Sequence, residues 1–87
     1  ISKECDNLFG KYKMIHSLGH GIGRLVHEGP GINSKEKTIL KEGMTITIEP
    51  GIYLDGRYGI RIEDSLIVRK KCPEILSKTT KKLRKIK

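Results

Sequence analysis

Three histidines and two glutamates carry the chemistry that can be read in this chain. His16, His20 and His27 fall within twelve residues, followed by Glu49 in TITIEPG and Glu63 in YGIRIED. Between the glutamates lies a strong hairpin signal, Asp55-Gly56. Each glutamate is seven residues from Gly56, so a hairpin folded about that glycine sets the two directly opposite. Opposed side chains on paired strands stand about 4.5–5.5 Å apart at Cβ, and like charges there repel. A bound cation offsets that repulsion best. Histidine with carboxylates is a hard-to-borderline ligand set, suited to Mn, Co, Fe or Zn. Three protein ligands make a one-metal site, and a two-metal site needs further carboxylates. Asp55, at the turn tip, and Asp64, on the opposite sheet face from Glu63, do not supply them.

The elements must then bring the histidines to the glutamates. Gly19, Gly21 and Gly23 argue against a helix through His16 and His20. In an extended segment their even separation still puts both rings on one face. His27 is an odd seven residues beyond His20 and needs a bend, which Gly21 and Gly23 permit. A lone histidine is ordinarily structural, but this cluster in a glycine-rich loop beside facing carboxylates points to a site. Pro50 holds Glu49 extended. It also lacks an amide proton, so it interrupts the ladder beside the carboxylate. Arg61 shares a face with Glu63, either as a plain ion-pair partner or as the group that orients it.

The remaining pattern predicts an α+β domain, a small antiparallel sheet with helices at its two ends. Residues 2–9 read as a helix stopped by Gly10, with Cys5, Leu8 and Phe9 at helical spacing. Residues 33–40 read as a loop with a polar cap at Asn33 or Ser34, and 41–43 as a turn. Residues 44–49 alternate, with Met44, Ile46 and Ile48 on one face and Thr45, Thr47 and Glu49 on the other. Residues 59–68 form the second strand, placing Ile60, Ile62 and Leu66 together. A short helix is expected from about Ser77, with Leu83 and Ile86 inward.

Eighty-seven residues suffice for one small domain with a modest core. The net charge of +8 is concentrated in residues 68–87, where nine Lys/Arg face the single acid Glu74. With no aromatic residue interleaved for base stacking, this run reads as a solvated helix face rather than a nucleic-acid surface. Neutralising Lys81, Lys82, Arg84 and Lys85 is therefore expected to spare the chemistry. No apolar run approaches the ~18–20 residues of a membrane span. Cys5 and Cys72 show no metal-binding spacing and read as reduced thiols of a cytoplasmic chain.

The runs HSLGHGIGRLVHEGPGI, GMTITIEPGIY and GIRIEDSLIV, in that order, resemble the pita-bread (creatinase/aminopeptidase) metallopeptidases. The X-prolyl aminopeptidase and prolidase branch is the nearest. The resemblance implies that His20 is a metal ligand, Glu49 a ligand that also handles the proton of the attacking water, and Glu63 the carboxylate bridging two metals. It implies that His16 and His27 contact substrate and steady the tetrahedral intermediate, with Tyr53 and Arg61 supporting the ligands. Two divalent ions (Mn, Co, Zn or Fe) and hydrolysis of an N-terminal X-Pro bond by a hydroxide shared between them follow from it. The family's two aspartate ligands lie on strands before the histidine motif. Residues 1–87 are thus expected to be the C-terminal half of the catalytic domain and inactive alone. The N-terminal half would be absent from this chain and supplied in cis or by a separate chain, and a homodimer is compatible with the resemblance. Gly31 stands where dipeptide-cutting members often carry an arginine, which favours longer X-Pro peptides. Two alternatives stand beside this reading. One is a non-catalytic pita-bread module binding protein or nucleic acid. The other is a methionine aminopeptidase, which shares GHGIG and TIEP, although EPGIY and GIRIED favour the proline-directed branch.

Overall fold

The computed structural model describes residues 1–12 and 14–86; Lys87, part of the basic run, lies outside the described residues. Helix α1 spans Ser2–Phe9 and stops at Gly10, whose φ of 59° suits glycine and whose amide donates to the Asp6 carbonyl at 3.1 Å. Leu8 is exposed, so the face that α1 turns inward is narrower than its apolar spacing suggests. Cys5 packs on the core and Ser2 Oγ donates to the Ile32 carbonyl.

Among the described residues seven strands follow: β1 (Gly19–Gly21), β2 (Glu28–Ile32), β3 (Thr45–Ile48), β4 (Gly51–Leu54), β5 (Tyr58–Arg61), β6 (Asp64–Ile67) and β7 (Glu74–Ile75). Five form an antiparallel sheet in the order β2-β1-β3-β6-β7, while β4 and β5 form a separate two-stranded hairpin. The core is small, made of Leu18, Ile32, Ile46 and Leu66, with Met14, Leu40, Ile48 and Val68 packed against it.

The hairpin register follows from Asp55-Gly56. Gly56 adopts φ 71°, and Gly51 pairs with Arg61, Ile52 with Ile60 and Tyr53 with Gly59. The ladder resumes in the same register beyond the interruption, with Ile48 opposite Asp64 and Thr47 opposite Ser65. Counting inward from either ladder brings Glu49 opposite Glu63 and Pro50 opposite Ile62. Ile62 N donates to the Pro50 carbonyl at 3.2 Å across that gap. Residues 59–68 are therefore two strands rather than one, because Pro50 has no amide to offer. The break lets the hairpin leave the sheet, which is why Ile60 and Ile62 are exposed while Leu66 is buried.

The expected C-terminal helix does not form. After β7 the chain runs without regular structure through residues 76–86, and Leu83 and Ile86 face solvent. A single short turn of helix is marginal without an apolar face to bury, and this segment finds no such face. The fold therefore has one helix, at its N-terminal end, among the described residues.

The accessible surface is 7408 Å². A compact folded chain of this mass exposes roughly 5,200 Å². The radius of gyration, 14.2 Å, likewise exceeds the roughly 12 Å of a compact domain of this length. The excess includes exposed Ile15, Leu25, Val26, Ile39, Tyr58 and Ile60, and the free outer edges of β2 and β7. No helix among the described residues is long and apolar enough to cross a membrane.

Candidate metal centre

The site is assembled on the inner strands β1 and β3. Gly21 pairs with Ile46, which brings His20 opposite Thr47. The pairing is close because β1 is glycine-rich: an ideal Cβ at Gly19 would lie 1.8 Å from the Thr47 carbonyl oxygen. Glu49 N donates to the Leu18 carbonyl at 2.7 Å, fixing the chain just before Pro50. Thr47 and Glu49 share a face, so His20 meets the first directly and the second diagonally.

His20 N donates to Thr47 Oγ1 at 3.1 Å, and Thr47 is 1% exposed. The imidazole Nδ1 lies 2.9 Å from the Gly21 carbonyl, which can only accept, so Nδ1 carries the proton. Nε2 faces the site, 3.5 Å from Glu49 Oε2. The two side chains are 19% and 15% exposed, partly shielded yet open on one side. The His27 ring rests against that of His20, with centroids 4.3 Å apart, so the expected bend after Gly21 is present.

His16 sits in a second small cluster. Its Nδ1 donates to the Ser17 carbonyl at 2.7 Å, and its Nε2 accepts from the Tyr53 hydroxyl at 2.9 Å. The two rings meet edge to face at 5.4 Å. Tyr53 lies across Gly51 and Gly59, where an added Cβ would stand 2.7 Å from its hydroxyl oxygen and 2.5 Å from its ring. His20, His27 and Glu49 are thus together, and His16 is joined to Tyr53. Glu63 faces Glu49 by register, with an exposed side chain. Arg61 forms no ion pair with Glu63 among the described residues; it is exposed on β5.

The donor chemistry suits a borderline divalent ion: an imidazole oriented by its Nδ1 hydrogen bond and a carboxylate beside its Nε2. Two candidate ligands converge, and the third lies between β5 and β6, opposite Glu49 by register. Among the described residues no group of three His, Cys, Asp or Glu side chains yet closes around a point. Two contributors are not evident in the sequence. Thr47 holds the His20 backbone, and Lys81 pairs with Asp64 at 2.9 Å, next to Glu63. Thr47 could have been found from its parity with Glu49, since a threonine on the site face of a strand has a polar partner to seek. Nothing in the tail's sequence distinguishes Lys81 from its neighbours.

His20 and Glu49 are thus gathered at the sheet, with Glu63 opposite Glu49 by register. Residues 1–70 match Metallopeptidase family M24, and the chain belongs to that family. An Xaa-Pro dipeptidase of Pyrococcus furiosus is 49% identical over 75 residues, 86% of this chain and 21% of that protein. An Xaa-Pro dipeptidase from Bacillus anthracis matches in structure with a TM-score of 0.80 and 47% identity, over 86% of this chain and 21% of its own. An X-Pro aminopeptidase from Thermotoga maritima matches with a TM-score of 0.74 and 48% identity, over 77% of this chain and 19% of its own. The fold is part of the pita-bread architecture of the prolidases. The chain spans about a fifth to a quarter of the length of the curated relatives it matches. Family membership implies divalent metal ions.

Proposed function

We propose that these residues form part of the active site of a metal-dependent exopeptidase that hydrolyses the N-terminal Xaa-Pro bond of peptides. The observation that carries this reading is His20 Nε2 standing 3.5 Å from Glu49 Oε2, with Nδ1 held by the Gly21 carbonyl and Glu63 opposite Glu49 by register. In this reading His20, Glu49 and Glu63 hold the metal, which when bound polarises the scissile carbonyl and acidifies the attacking water. Glu49 takes the proton from that water and returns it to the leaving nitrogen. His27, whose ring rests against His20, donates a hydrogen bond to the oxygen that gains negative charge, while His16, held by the Ser17 carbonyl and the Tyr53 hydroxyl, borders the substrate.

The remaining carboxylate ligands come from outside residues 1–87, so this stretch alone is inactive. The surface in excess of a compact chain accords with a fold that continues against further structure. Gly31, which pairs with His20, offers no cation at that flank, and this favours peptides longer than a dipeptide. The free thiols Cys5 and Cys72 accord with a cytoplasmic protein. The test is cleavage of Xaa-Pro and Xaa-Pro-Xaa peptides by the complete polypeptide, with manganese or cobalt and after chelation. Metal-dependent release of the N-terminal residue, lost in His20→Gln and Glu49→Gln, is expected. Cleavage that survives chelation or either substitution would overturn the reading.

A further inference from the structure

We infer that Lys81, in the irregular basic tail, is a positioning residue that holds Glu63 in place through Asp64. The inference rests on the proposal that Glu63 is a metal ligand, and concerns how that ligand is held. Glu63 lies in the two-residue gap between β5 and β6, where no ladder pair orients its backbone. On the downstream side β6 is paired with β3 along one edge, and the tail adds a second set of contacts along the other. Leu76 N donates to the Ser65 carbonyl at 2.8 Å, and Ser65 N donates to Ser77 Oγ at 2.9 Å. Lys81 Nζ then reaches Asp64 Oδ1 at 2.9 Å.

The last contact differs from an ordinary surface pair. Asp64 is 23% exposed, and its Oδ1 atom is buried without a hydrogen bond of good geometry. Lys81 is therefore the charge that compensates a largely desolvated carboxylate oxygen. The carboxylate belongs to the residue after Glu63, and Lys81 and Glu63 line the same cleft. Were Lys81 removed, Asp64 would turn towards water to recover its hydration. Glu63 and Asp64 share a peptide unit, so the loss of the restraint on Asp64 loosens Glu63 opposite Glu49. Arg69 pairs with Glu74, and no other lysine or arginine side chain of the tail forms an ion pair with an acidic side chain among the described residues. Lys81 is thus the tail cation tied to the site, which the expectation of a uniformly solvated face does not capture.

The test is a double-mutant cycle read by manganese affinity in the complete polypeptide, using electron paramagnetic resonance of free Mn²⁺. Lys81→Ala should weaken manganese binding roughly tenfold or more, the range typical of groups that orient a ligand. Lys81→Arg should keep it near the original value, as should the exposed control Lys82→Ala. In a Glu63→Gln background, Lys81→Ala should have no further effect, because the residue it positions is already disabled. Unfolding is monitored by circular dichroism, and the Lys81→Asp/Asp64→Lys exchange, which should restore affinity, covers the case in which Lys81→Ala fails to fold. Equal affinity in Lys81→Ala and the original, or an undiminished Lys81→Ala effect on top of Glu63→Gln, would overturn the inference. If Glu63→Gln itself leaves manganese binding unchanged, it is the metal-ligand reading of Glu63 that fails.

Discussion

Thr47→Val should separate what holds the site from what fills the core. Thr47 is 1% exposed, and its Oγ1 accepts the His20 amide at 3.1 Å. Valine keeps the branched shape but removes the acceptor, leaving the His20 N–H unpaired in the interior. An unsatisfied buried donor costs about 1–3 kcal/mol. Folded proteins are stable by only about 5–15 kcal/mol, so the loss should be plain. Thr47→Ser does the reverse, keeping the acceptor and losing one methyl group, at about 0.8 kcal/mol for the carbon removed. Urea denaturation of the complete polypeptide reads both: midpoints should fall with little change in slope, further for Val than for Ser. Manganese affinity should follow the same order, because the freed amide lets His20 drift from Glu49. A Val variant within about 0.5 kcal/mol of the original, the range of neutral surface changes, would refute the reasoning. So would a Ser variant that loses more than Val.

Gly19→Ala should be destabilised by about 3 kcal/mol or more, since its Cβ would collide with the Thr47 backbone. Gly29→Ala, with open space around it, serves as the control in the same thermal melts. Tyr53→Phe should alter stability by no more than about 0.5–1.5 kcal/mol, yet lower kcat on an Xaa-Pro peptide, because His16 Nε2 loses the hydroxyl that holds it; steady-state kinetics beside a melt checks this. Iodoacetamide near pH 8 should modify the exposed Cys72 before Cys5, as burial first and the Asp6 charge second push the Cys5 thiol above its ordinary range. Mass spectrometry of the two peptides decides the order. The same upward shift favours the protonated thiol, so the stability it contributes is present below the ordinary thiol value and is lost as pH rises through the folded value.

Local signals carried the reading where one interaction dominated. Asp55-Gly56 dictates the hairpin because a positive φ at Gly56 suits glycine, and the register it sets extends through β3 and β6. Gly10 ends α1, and Asn33 Oδ1 caps its loop by accepting from the amides of Lys35 and Glu36, each for a local reason. The reading failed where the outcome depended on distant partners. The split of residues 59–68 depends on what Pro50 cannot give Ile62 across the ladder. The tail carries helix-forming lysines, but its path is fixed by Ser65 and Asp64, both far from it in sequence. The pairing of His20 with Thr47 depends on β1 entering between β2 and β3, which no local pattern announces.

The central claim is that His20, Glu49 and Glu63 hold a divalent ion. Crystals of the complete polypeptide soaked in manganese chloride, with diffraction data measured for anomalous scattering, test it most directly. The account expects an anomalous peak in contact with His20 Nε2 and the carboxylates of both Glu49 and Glu63, lost when Glu49 is replaced by Gln. A manganese peak that touches none of these three, or a peak that persists unchanged in Glu49→Gln, would contradict it.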